Sequence, residues 1–290
     1  MSASVREFGI EGHPTVDKQS DAVDVVAVVG SKPDGGARDV VGLAVFMVIA
    51  GICVVFLNTP SAISTVASPD LQRTLIGVAM GLTAIAIIYS PWGRRSGAHL
   101  NPAVTLAFLR LGKVAPADAA FYVLAQFAGG IAGTMLLTAL FGERFTLPPI
   151  AAIATVPGSW GEVAAFVAEV AIAFGLMTTV LAANASARLM RWTGVCAGAL
   201  VALYIMVEAP VSGMSLNPAR SVASAVPSGI WHGIWIYLTA PLVGMLLAAE
   251  LHLRRGRPTP CAKLHHNADG RCIFRCDFAA AQSQEVRHVP

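Results

Sequence analysis

Two short segments of the chain carry the residues best suited to recognise a small polar solute. Residues 96–103 read SGAHLNPA and residues 212–219 read SGMSLNPA. Asparagine is a strong helix N-cap, and proline is favoured at the first helical position because its missing N–H would be unpaired there anyway. Each Asn-Pro-Ala therefore predicts the start of a short helix, over 104–111 in one copy and 220–225 in the other.

The start of a helix is a good place to receive an oxygen atom. It carries roughly half a positive charge, and its first N–H groups have no partner within the helix. Two such helices meeting end to end would accept a neutral solute with an acceptor oxygen and repel a cation. We therefore assign the midplane of a pore to six residues, Asn101, Pro102, Ala103, Asn217, Pro218 and Ala219.

The composition indicates that these motifs lie in a membrane. Of 290 residues, 55% are apolar and 13% are charged, and the mean hydropathy is +0.65. Soluble domains carry roughly a quarter of charged residues, so a soluble, disordered or collagen-like protein is excluded. A net charge of +3 is too small to indicate a nucleic-acid partner.

Six apolar runs approach or reach the roughly 20 residues that cross a bilayer. Because backbone amides cannot stay unpaired in lipid, each run must be helical. The first motif follows the second run and the second motif follows the fifth, so the motifs enter from opposite faces, which is the signature of an inverted repeat. The predicted fold is an all-α membrane protein with six transmembrane helices and two re-entrant half-helices. The six runs are 40–57, 71–89, 119–141, 163–183, 192–207 and 230–251.

Basic residues beside the spans predict the orientation. Ten Lys and Arg residues fall on one side and three on the other, which places both chain ends in the cytoplasm. The predicted parts are a polar cytoplasmic tail over 1–38 without a signal peptide, a channel domain over 39–252, and a basic cytoplasmic tail over 253–290. Within the channel domain, the two repeats cover about 39–141 and 160–252.

On its paired Asn-Pro-Ala motifs, the chain resembles the aquaporins, the major intrinsic protein family. Asp39 and Glu169 stand where the family usually has a glutamate, and we expect both to accept hydrogen bonds from the re-entrant loops. The resemblance implies one pore in each subunit of a homotetramer. It also implies a location in the cell membrane, with lipid, water and small neutral solutes as partners. It implies no required cofactor.

The resemblance further implies a selectivity filter of four side chains beside the motifs. Arg220 directly follows the second motif, in the position of the filter arginine, and counting back from Asn217 reaches Met214. The resulting filter is Met80, Ile205, Met214 and Arg220. Tyr204 would replace Ile205 if the register slips, and Gly81 is the alternative to Met80.

These assignments predict a passive channel for water that excludes ions and protons. Passage of a small neutral solute such as glycerol stays open, because the filter partners of the arginine are apolar. The alternative function is a secondary transporter, which also uses broken helices in inverted repeats but needs a coupling site. No nucleophile and base lie beside the motifs, so an enzyme is not predicted.

Two features lie outside the filter and the helix starts. His99 either lines the pore or hydrogen-bonds to a neighbouring loop. In the C-terminal tail, three thiols and an imidazole could complete a tetrahedral zinc shell, and the alternative is a flexible basic tail with reduced thiols near anionic lipid. The four candidate ligands are Cys261, His265, Cys272 and Cys276.

Overall fold

The structure is a computed structural model that describes residues 40–58, 68–186, 188–266 and 272–277. All regular structure in these ranges is helical, as the predicted all-α fold requires. Asp39 and the predicted N-terminal tail lie outside the described residues. The eight long helices are α1 (Val40–Leu57), α2 (Pro69–Tyr89), α3 (Pro102–Arg110), α4 (Pro116–Phe141), α5 (Gly161–Asn184), α6 (Thr193–Val207), α7 (Pro218–Ser228) and α8 (Ile234–Arg254).

Six of these helices are long and apolar enough to cross a membrane, α6 together with the 3₁₀ turn Met190–Trp192 that precedes it. The other two, α3 and α7, have 9 and 11 residues. At a rise of about 1.5 Å per residue they reach across roughly half a hydrocarbon core. The predicted set of six spans and two half-helices is therefore confirmed.

The end of α7 and the start of α8 differ from the predicted limits. Helix α7 continues past residue 225 to Ser228, where Gly229 provides a left-handed C-cap. Helix α8 begins at Ile234 rather than at residue 230, because both Gly229 and Gly233 have positive φ angles of 69° and 67° and the chain turns between them. Apolar composition alone does not report this turn.

Close helix pairing defines the walls of the bundle. Helix α2 packs along α6, and α5 packs along α8. A Cβ atom on Gly81 would lie 2.6 Å from the Gly198 carbonyl oxygen, and one on Gly244 would lie 2.4 Å from the Val170 carbonyl oxygen. Small residues at such contacts let helix backbones approach closely, which is how helices associate in lipid.

The C-terminal segment, residues 257–266 and 272–277, folds back against one end of the bundle. Asn184 Nδ2 donates to the Lys263 carbonyl at 3.2 Å, and the Arg275 N–H donates to the Lys113 carbonyl at 3.1 Å. Lys113 and Asp277 also form a salt bridge. We call this end of the bundle the tail side. The opposite end, where the 3₁₀ turn Ala151–Ile153 lies, is the far side.

The contact between α2 and α6 gives a direct test of the packing. Gly81→Val would push side-chain atoms into the Gly198 carbonyl, and overpacking of this kind typically costs about 1–3 kcal/mol. We expect a lower thermal unfolding temperature for the purified protein in detergent. Val78→Leu, on an exposed position of the same helix, is the matched control. Equal unfolding temperatures for the two variants would contradict the packing.

Candidate functional site

The two Asn-Pro-Ala motifs meet at the centre of the bundle. Asn101 Nδ2 donates to the Leu216 carbonyl at 2.7 Å, and Asn217 Nδ2 donates to the Leu100 carbonyl at 2.8 Å. Each asparagine oxygen meanwhile caps its own helix, at 2.8 Å from the Ala103 N–H and at 3.0 Å from the Ala219 N–H. The two half-helices are therefore fixed start to start by reciprocal bonds.

The two loops that lead into the half-helices share one unusual backbone conformation. In each loop, three residues have left-handed φ angles, and only one of the three is glycine. A left-handed conformation costs a non-glycine residue roughly 1–2 kcal/mol, so other contacts must hold these loops in place. The residues are Gly97 (88°), Ala98 (54°) and Leu100 (52°) in the first loop, and Gly213 (82°), Met214 (50°) and Leu216 (58°) in the second.

Glu169 on α5 holds the second loop. Its Oε1 accepts hydrogen bonds from Ser212 Oγ at 2.8 Å and from the Ser215 N–H at 2.6 Å, while Oε2 accepts from the Leu216 N–H at 2.8 Å. The Glu169 side chain is fully buried. A carboxylate away from water is tolerated when its oxygens are hydrogen-bonded in this way.

Neutral groups contact the first loop. Thr105 Oγ1 lies 3.1 Å from His99 Nδ1 and accepts a hydrogen bond from Gln126 Nε2 at 3.1 Å. The Tyr122 hydroxyl donates to the Ser96 carbonyl at 2.8 Å. His99 lines the central cavity and also contacts Thr105 of α3, and its role in conduction stays a prediction.

A cavity of about 290 Å³ passes both motifs. Asn101 and Asn217 line its middle, His99 lines it toward the tail side, and Ile153 lines it toward the far side. Its wall comes from the half-helices and from facing sides of several spanning helices. The four side chains assigned to the filter all line this same cavity: Met80, Ile205, Met214 and Arg220. The structure brings them together, and their role as a filter remains a prediction.

Arg220 has a partner that the sequence does not reveal. Its Nη1 donates a hydrogen bond to Thr155 Oγ1, which also lies 2.9 Å from Ser221 Oγ. Thr155 belongs to the connection between α4 and α5, has no counterpart in the repeated motif, and carries no local signal of this role. Its hydroxyl holds the guanidinium against the wall of the cavity.

The duplicated motif and this geometry are matched by known proteins. Residues 39–252 match the family model described as "Major intrinsic protein". The chain belongs to the major intrinsic protein family. The family membership predicted from the paired motifs is therefore confirmed.

Individual members show how far the likeness extends. The chain is 36% identical over 207 residues to Aquaporin NIP1-1 of Zea mays, covering 70% of this chain and 68% of that protein. It is 31% identical over 255 residues to Aquaporin NIP1-4 of Oryza sativa subsp. japonica, covering 84% and 89%. The solved aquaglyceroporin from Plasmodium falciparum shares its fold with a TM-score of 0.63 at 22% identity, over 77% of this chain and 96% of that one.

As a major intrinsic protein, the chain is a multi-pass membrane channel for water and small solutes. It is not an enzyme, and channels of this family need no cofactor.

The cysteines of the C-terminal segment gather near the tail side of this channel. Ligand atoms of Cys261, His266, Cys272 and Cys276 all lie within 4.8 Å of one another. The spacing predicts His265 as the imidazole ligand, and the structure corrects this residue to His266. The His265 ring instead packs against Tyr89, with ring centroids 4.6 Å apart. Adjacent residues in a bend point in different directions, so spacing alone does not choose between them.

The bonds of Glu169 predict a large effect of a small change. Glu169→Gln keeps the shape but turns one acceptor into a donor, which would face a backbone N–H of the second loop. Leaving buried donors unpaired costs about 1–3 kcal/mol, so we expect a lower unfolding temperature of the purified channel.

Glu143→Gln makes the same chemical change at an exposed glutamate and is expected to leave the unfolding temperature unchanged. A Glu169→Gln protein as stable as this control would show that the carboxylate does not hold the second loop.

Proposed function

We propose that this protein is a passive channel for water and for small neutral solutes such as glycerol, and that it excludes ions and protons. The observation that carries the proposal is the reciprocal pairing of Asn101 and Asn217 beside one cavity. That pairing aims two helix starts at the same narrow space. An oxygen acceptor passing between them meets donors from both sides.

The proposed exclusion of cations follows from the sign of these groups. Each helix start contributes roughly half a positive charge, and the Arg220 guanidinium adds a full charge on the same path. Half-helix dipoles and an arginine are recognised barriers to protons and cations in water pores. A neutral solute meets hydrogen-bond donors there without an electrostatic penalty.

The proposed tolerance of glycerol follows from the remaining wall. Met80, Ile205 and Met214 present apolar or weakly polar surface in the same cavity as Arg220. A small polyol has hydroxyl groups on one face and carbon–hydrogen groups on the other. Arg220 would take the hydroxyl groups while the methionine and isoleucine side chains contact the carbon chain.

The assembly and the orientation belong to the same proposal. The excess of basic residues on the tail side supports placing both chain ends in the cytoplasm of a cell membrane. The family resemblance supports a homotetramer, and native mass spectrometry of the detergent-solubilised protein would count its subunits.

Stopped-flow light scattering on phosphatidylcholine proteoliposomes tests the proposed function. Under a sucrose gradient we expect shrinkage faster than in protein-free vesicles, and under a glycerol gradient we expect shrinkage followed by accelerated reswelling. Both fluxes should be unaffected by an added proton or sodium gradient. Solute uptake driven by either gradient would instead identify a secondary transporter.

Arg220→Val tests the filter assignment in the same vesicles. Loss of the guanidinium should widen the path and remove a positive charge, and should raise the flux of larger solutes and of cations relative to the water flux, by roughly tenfold if about 1.4 kcal/mol of barrier is removed. Arg144→Val removes an exposed arginine on the far side and serves as the matched control. An unchanged flux ratio in Arg220→Val would remove Arg220 from the filter.

A further inference from the structure

The C-terminal segment reaches into the tail-side mouth of the pore. Leu264 is buried and lines the same cavity as Asn101 and Asn217. Its N–H donates to the Gly97 carbonyl at 3.2 Å, and His99 Nε2 donates to the Ala262 carbonyl at 2.9 Å. The segment is thus bonded to the first re-entrant loop itself, at the place where a solute would enter.

A second part of the segment packs on the same loop. The Phe274 ring stacks on the His99 ring, with centroids 5.3 Å apart and an interplanar angle of 12°. Phe274 occupies the space above Gly97, where a Cβ atom would come within 2.7 Å of the ring. Residues 261–266 and 272–277 therefore approach one loop from two directions, and each carries part of the cysteine cluster.

The cluster has the donor set of a structural zinc site, and its four ligand atoms lie within 4.8 Å of one another. Cys261 Sγ lies 3.5 Å from Cys272 Sγ, and Cys276 Sγ lies 3.1 Å from His266 Nε2. Zinc–sulfur bonds of about 2.3 Å and zinc–nitrogen bonds of about 2.0 Å imply sulfur–sulfur and sulfur–nitrogen separations of roughly 3.5–3.8 Å in a tetrahedron, so the four ligand atoms need to move by about 1 Å or less to bind the ion. Three thiolates and one imidazole form a closed shell typical of structural zinc.

We propose that Cys261, His266, Cys272 and Cys276 bind one zinc ion, and that the bound metal holds Leu264 across the tail-side mouth and closes the pore. The closure rests on the proposed function of the pore as a channel. The metal joins the two parts of the segment, and two of its ligands, Cys261 and His266, flank Leu264 in the first part. Without it, the segment is held by hydrogen bonds, the Phe274 contact and the Lys113–Asp277 salt bridge, whose Asp277 end is exposed, so the mouth opens more often.

Metal content tests the binding half of the proposal without any flux measurement. The full-length protein is purified in reducing buffer, incubated with ZnCl₂, desalted and measured by inductively coupled plasma mass spectrometry. We expect one zinc per chain, and none in the double variant Cys272→Ser/Cys276→Ser. The matched control is Cys53→Ser/Cys196→Ser, which changes two thiols outside the cluster and should keep its zinc. Gel filtration confirms that each variant is folded.

Water permeability tests the closing half. Protein stripped with a chelator or loaded with ZnCl₂ is reconstituted in parallel into phosphatidylcholine vesicles under reducing conditions, which keep Cys261 and Cys272 from forming a disulfide. Stripped wild-type protein should conduct water several-fold faster than loaded protein. Leu264→Ala should stay fast with zinc bound, whereas Leu253→Ala, at a partly exposed leucine of α8, should respond as wild type does.

Each result has a separate consequence. Absence of zinc from the loaded wild-type protein would overturn the metal site. Zinc bound at one per chain with equal permeability in both preparations would overturn the closure. If no preparation conducts water, Leu264→Ala included, the proposed channel function fails together with the closure, and the zinc stoichiometry stands on its own.

Discussion

Two side-chain amides fix the centre of this protein. Asn101 and Asn217 each use the oxygen to cap a half-helix and the nitrogen to bind the loop that precedes the other half-helix. The same four groups therefore start both helices and join the two repeats. Any shift of one half-helix along the membrane normal would break a cap or a crossing bond, so the helix starts stay opposed beside one cavity.

The loops that deliver these asparagines are strained and are held by different chemistry. A buried carboxylate, Glu169, accepts three hydrogen bonds from the second loop, whereas the first loop is contacted by Thr105, Tyr122 and the C-terminal segment. Removing a partner from a buried charge is costly, so the second loop is the more rigidly fixed. The first loop rests on neutral contacts, which suits the proposal that its mouth opens and closes.

Local signals explain what the sequence predicted well. The length of the apolar runs predicted the six spans, and an asparagine cap followed by proline predicted the starts of α3 and α7. Both signals depend on neighbouring residues alone. Thr155, His266 and Leu264 escaped prediction because their positions depend on contacts between distant parts of the chain. The turn between Gly229 and Gly233 escaped because the apolar residues Ile230 and Trp231 within it were counted into the sixth run. The filter roles of Met80 and its partners are still predictions.

The central claim is that opposed helix starts pass neutral solutes and stop charge, and simultaneous measurement of water and proton flux tests it most directly. Proteoliposomes containing metal-stripped protein and a trapped pH-sensitive dye would be exposed to an osmotic gradient and a proton gradient together. The account predicts rapid osmotic shrinkage while the internal pH changes no faster than in protein-free vesicles. Proton entry that rises together with water flow would contradict it.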